Sequence, residues 1–174
     1  MHLTKSSIAR VCGLALGILL AGCGSSGSSG GDATAPFVGS WTYSSGSIQP
    51  MCNIQGIPPF DLTGDTMTIT KGTGSNTVAT SLTGNGVMCN VNFTVSGDMA
   101  TAMSNQTCTV AVNAGALGTV SVLIHISTWT LTVSGNMLSM AMTGTASDST
   151  GVLSCNPTAS GAATRAASDG GAGG

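Results

Sequence analysis

Glutamate does not occur in this 174-residue sequence, and charged side chains of any kind make up only 6% of it. An average soluble protein carries roughly 25%. Between Pro36 and Pro157 the only charges are Asp61, Asp65, Lys71, Asp98 and Asp148. Nucleic acid and anionic lipid headgroups are held by clustered Lys and Arg, so nucleic acid is excluded as a partner. Histidine is nearly absent too: His2 and His125 are the whole supply. A Ser, Thr or Cys nucleophile needs a base beside it and a third group orienting that base. One histidine on an apparent strand, facing away from Ile124 and Ile126, reads as a solvated side chain. Asp61 and Asp65 fall in a turn-rich stretch, where Asp bonds its own backbone, and their spacing does not match an EF-hand loop. The glycines join strands and open no helix, which argues against a phosphate-binding loop. The chain is therefore expected not to be an enzyme and to need no cofactor or metal.

Apolar residues are plentiful by contrast, at 41%. In the middle of the chain they recur regularly, so that region should fold. The two ends differ. Gly24 to Ala35 and Ala159 to Gly174 are Gly, Ser and Ala with little to bury. They read as a flexible tether (23–35) and a disordered tail (159–174), around a folded domain at 36–158.

At the N-terminus, Lys5 and Arg10 give a positive region, and Val11 to Leu20 give an apolar run. The run is too short to span a bilayer, and Gly-Ser punctuation follows at once, so residues 1–22 read as a processed export signal. Leu20-Ala21-Gly22-Cys23 resembles the lipobox of bacterial lipoproteins. That resemblance implies a mature chain starting at Cys23, with diacylglycerol on its thiol and a further acyl chain such as palmitate on its amino group. At about 0.8 kcal/mol per buried CH₂, several acyl chains make a permanent anchor. Gly24 stands where Asp would resemble an inner-membrane retention signal, so the resemblance implies the outer membrane of a Gram-negative envelope. The membrane is then the expected partner, reached through lipid.

The central pattern is one of short strands. Phe37, Gly39, Trp41 and Tyr43 share one parity. A second extended piece through Ile48, Cys52 and Ile54 is interrupted by Pro50, and Ile57 to Thr63, with Pro58-Pro59, reads as a loop. Met67 and Ile69, then Val78 and Leu82, then Val87 to Val95, then Cys108 to Val112, and lastly Leu138 to Met142 give further inward faces, separated by turns such as Gly84-Asn85-Gly86. Facing positions are Thr, Ser and Asn. Val120 to Ile126 and Trp129 to Val133 are out of phase, which predicts a β-bulge near Ser127-Thr128. About eight strands with short connections predict an all-β, antiparallel up-and-down barrel, with a β-sandwich as the alternative.

Gly39-Ser40-Trp41 resembles the G-x-W signature of lipocalin-like barrels, in which the indole plugs the closed end. The later T-D-x-x-Y-type motif of that family is absent. So is its late-strand arginine over the tryptophan, because Arg165 falls in the expected disordered tail. The whole plan also looks like small uncharacterised surface lipoproteins of Gram-negative bacteria, a likeness that implies no activity.

Four cysteines remain besides Cys12 and Cys23, and an even number after export implies disulfides. If the chain turns over Gly97 to Ala100, Ser96 faces Thr101 and Cys89 lies opposite Cys108 on one face, within bridging distance. Cys52 then pairs with Cys155 by elimination, stapling the barrel seam. Met67, Met140 and Met142 take inward positions, either filling the interior or lining a site for a small hydrophobic ligand. The functional expectation is a non-catalytic structural or interaction lipoprotein, with a lipocalin-like binder as the alternative.

Overall fold

A computed structural model describes residues 31–84, 87–113 and 118–166. Every regular element among them is a strand: β1 (Gly39–Cys52), β2 (Phe60–Asp61), β3 (Thr66–Lys71), β4 (Thr77–Gly84), β5 (Val87–Ser96), β6 (Met99–Ala102), β7 (Thr107–Asn113), β8 (Thr119–Ser134), β9 (Met137–Asp148) and β10 (Ser154–Arg165). Each main strand pairs antiparallel with its neighbour in the chain, and β10 returns to β1. The short β6 and β7 follow each other along one stave between β5 and β8, and β2 adds two residues beside β1. The result is a closed eight-stave barrel.

Closure follows from the side-chain pattern. Along β5 buried and exposed residues alternate without a break, and β7 and β9 repeat this. With one face turned inward on every strand, the pairing of β10 with β1 joins the two ends of the sheet, which removes the usual route to edge-to-edge association. The interior is packed by Trp41, Tyr43, Met67, Phe93, Trp129, Leu131 and Leu138, with Phe93 and Trp129 edge-to-face at 5.4 Å between centroids. Thr80, an inward threonine of β4, satisfies its hydroxyl on the Val91 carbonyl.

The phase change in β8 is resolved by a bulge. Ile126 faces Gly144 and Thr128 faces Thr143, so Ser127 is the extra residue. Both apolar sets then point inward. Opposite the bulge the backbones press together: a Cβ on Gly144 would lie 2.6 Å from the His125 carbonyl oxygen. Gly144→Ala is therefore expected to lower unfolding stability by about 1–3 kcal/mol, the ordinary cost of overpacking, read by denaturant titration. An unchanged midpoint would mean that the bulge can shift freely.

Four expectations are corrected. Pro50 does not interrupt the early strand, because β1 runs unbroken to Cys52. Asn53 donates from its backbone N–H to Ser154, which makes Cys52–Cys155 and, two residues along, Pro50–Pro157 pairs whose N–H positions point away from the seam. At the β1–β10 seam neither proline removes a ladder hydrogen bond. The loop expected at Ile57 to Thr63 contains β2 and the buried Leu62. The tail expected from Ala159 is instead the closing strand as far as Arg165. Its small residues are complementary to large ones across the seam, since a Cβ on Gly161 would lie 3.2 Å from the Tyr43 ring. The tether also ends earlier than Ala35. Asp32 to Phe37 form a hydrogen-bonded turn in which Thr34 and Phe37 are buried.

The register at the cysteines carries a fifth correction. Ser96 faces Met99, not Thr101, because Gly97-Asp98 alone makes the turn. Continued unchanged, that tighter hairpin would set Cys89 opposite Gln106. An excursion at Met103 to Gln106, with Asn105 at φ 60° and Gln106 accepting from the Asn92 N–H, inserts two residues. Cys89 consequently faces Cys108, and the two are bridged.

Candidate functional site

The closed end of the barrel is the most elaborated part of the molecule. Gly39 opens β1 at φ 143°, a conformation that side-chain-bearing residues rarely adopt. Two residues on, the Trp41 indole is fully buried and donates from Nε1 to the Phe37 carbonyl at 2.7 Å. The Arg165 guanidinium lies over the indole, 4.7 Å from its centroid, and also donates to the Pro36 carbonyl. A cation over an aromatic face gains about 0.5–2 kcal/mol, the upper end when desolvated. The N-terminal turn is thus clamped between the first and last strands. Lys71 adds an exposed ion pair to Asp32 at 2.7 Å. Hydrogen bonds from Lys71 and then Thr34 hold the Asp32 carboxyl down at about 2.

Sequence reasoning placed Trp41 correctly and missed Arg165. The available signal was the alternation of Cys155, Pro157, Ala159 and Ala163, all buried, which small side chains and Gly161 disguise.

Above this plug the interior is almost full. One void of about 20 Å³ lies among Leu62, Trp129, Met140 and Met142. Another, of about 30 Å³, lies nearer the open end, bounded by Cys52, Ile57, Phe60, Val112, Cys155 and Pro157. A water needs about 10–15 Å³ by this measure, so each void has room for one or two waters and not for a ligand. Tyr43 hangs inside with its hydroxyl near Met140 Sδ (3.3 Å) and Met67 Sδ (3.7 Å). Burial pushes its phenol well above the ordinary range, and the Asp65 carboxylate adds to this. The Trp129 Nε1 is buried without a hydrogen-bond partner.

The chain matches no protein-family model, no curated protein and no solved structure. Function must be argued from the residues themselves.

Other candidate positions lie apart. His125 is exposed on β8 between Thr107 and Thr145 of the neighbouring strands. Asp61 accepts the Thr63 N–H at 2.8 Å, and Asp148 accepts from Thr150 and Leu153, bonds that lower both carboxyls and organise their own turns. No group of three metal-ligating side chains forms among the described residues. Among the described residues Cys52–Cys155 and Cys89–Cys108 are the two disulfides. Cys23, the signal at 1–22 and the turn at Asn85-Gly86 lie outside the described residues.

Proposed function

We propose that this chain is an exported lipoprotein of the outer membrane, anchored through Cys23, whose barrel serves a non-catalytic structural or interaction role in the cell envelope. The observation that carries the non-catalytic part of this reading is the filled interior, whose two voids are apolar and too small for a substrate. The two disulfides agree with an oxidising compartment. What the barrel offers a partner is its outer face. Thr77, Thr94, Thr101 and Thr130 stand side by side across four strands, and hydroxyl and amide groups dominate elsewhere.

A lipocalin-like binder of a small hydrophobic molecule is the second reading. The Gly39, Trp41 and Arg165 arrangement favours it, because it supplies the late-strand arginine of that family's plug. In that reading Met140 and Met142 would have to move to enlarge the interior.

Native mass spectrometry of the protein taken from its own membrane separates the two. A mass excess confined to Cys23 supports the first, and a further bound molecule supports the second. Cys23→Ser is expected to abolish acylation and move essentially all of the protein out of the membrane fraction. Retention of that variant in the membrane would overturn the anchor.

A further inference from the structure

The methionines divide sharply between the two faces of the barrel. Met51, Met88, Met99, Met103 and Met137 are all exposed, at 38–69% of full accessibility, while Met67, Met140 and Met142 are buried. Methionine is ordinarily among the buried residue types. On an outward strand position Thr, Val or Ile is the better β-former, so strand formation does not call for Met here. Nor do the five make a docking patch. They are spread over β1, β5, β6, the turn after β6, and β9, separated by Ser, Thr and Asn, whereas a contact surface is contiguous. What these side chains bring to the outside is the chemistry of the thioether.

The other oxidisable groups are withheld. Both tryptophans and the single tyrosine are at most 2% exposed, and Cys52, Cys89, Cys108 and Cys155 are already disulfides. Among the core thioethers, Met140 and Met67 are further covered by the Tyr43 hydroxyl. On β1, β5, β6, the turn after β6 and β9 an oxidant meets exposed methionine sulfur before it meets the core, and among the described residues the His125 imidazole and the Lys71 amine are further exposed groups open to attack.

We propose that the five exposed methionines form a sacrificial surface that consumes hypohalous acid. With hypochlorous acid, each sulfur gives up two electrons and gains one oxygen as an S–O bond forms. The Cl–O bond breaks, and chloride and a proton leave. The sulfoxide is polar, and on the outer face it displaces no packed neighbour, so the barrel survives its own oxidation.

The test is titration of the full chain with one to five equivalents of hypochlorous acid, followed by peptide mapping and near-ultraviolet circular dichroism. One added oxygen is expected at each of Met51, Met88, Met99, Met103 and Met137, with an unchanged aromatic spectrum. A parallel chain unfolded in urea should oxidise all eight of these methionines without order. Oxidation of Met67, Met140, Met142 or a tryptophan in the folded chain alongside the exposed five would overturn the proposal. A variant carrying M51L, M88L, M99L, M103L and M137L is expected to lose its aromatic spectrum at a dose the natural chain withstands. Equal resistance of that variant would overturn the sacrificial role.

Discussion

A chain ending at Thr158 is expected to lose cooperative unfolding, although the residues removed look expendable. The deletion takes away Ala159 to Arg165. These residues pair with Ile48, Ser47, Gly46, Ser45, Tyr43, Thr42 and Trp41 on one side and with Met142 to Met137 on the other. Two ladders open at once, and the barrel acquires two edges with unpaired backbone groups. The Arg165 guanidinium leaves the Trp41 ring, and the Tyr43 ring loses Gly161 and Ala163 beside it and becomes wet. Each lost hydrogen bond contributes about 0.5–1.5 kcal/mol net, and each large side chain uncovered about 1.5–3 kcal/mol. Their sum exceeds the roughly 5–15 kcal/mol that holds a small domain together. The comparison is with a chain ending at Ala166, by near-ultraviolet circular dichroism and thermal melting. If the two melted alike, β10 would not be the closing strand.

That deletion also marks where sequence reasoning reaches its limit. Strands were legible where inward residues are large and outward ones polar, as in Val87 to Val95, because the period of two is then unmistakable. The bulge at Ser127 was legible for the same reason, since two long apolar sets in opposite phase admit no straight strand. β10 was hidden because volume in a packed interior is shared across the seam. Tyr43 takes so much of it that Ala163 and Gly161 suffice beside it across the seam, and alternation of Ala with Ser resembles low complexity. Cys89–Cys108 was reached from a hairpin register that is two residues wrong, and the excursion at Met103 to Gln106 restores it. The Trp41 site was half legible: Gly39 and Trp41 lie within a compact three-residue signature, but the arginine that completes it is distant in sequence and depends on a strand that periodicity did not reveal.

The two disulfides should differ in what their removal costs. Cys52 and Cys155 enclose 103 residues of separation, against 19 for Cys89 and Cys108. In the chain-entropy model, replacing both cysteines by Ala is expected to cost about 4–5 kcal/mol at the first bridge and about 3 kcal/mol at the second. Denaturant midpoints of the two double variants, measured under the same conditions, give the order. The consequence should also be local at the first bridge. Eleven residue pairs still join β1 to β10, and at the closed end Arg165 holds Trp41. At the open end β10 is poorly supported from its other side, because neither Asn156 nor Pro157 pairs with β9. Without its bridge the seam should open from the mouth downwards, so amide exchange should rise at Met51 and Asn156 well before Thr42 and Thr164. Uniform exchange along the seam would instead mean that the barrel opens as one unit, and that the disulfide acts only on the unfolded chain.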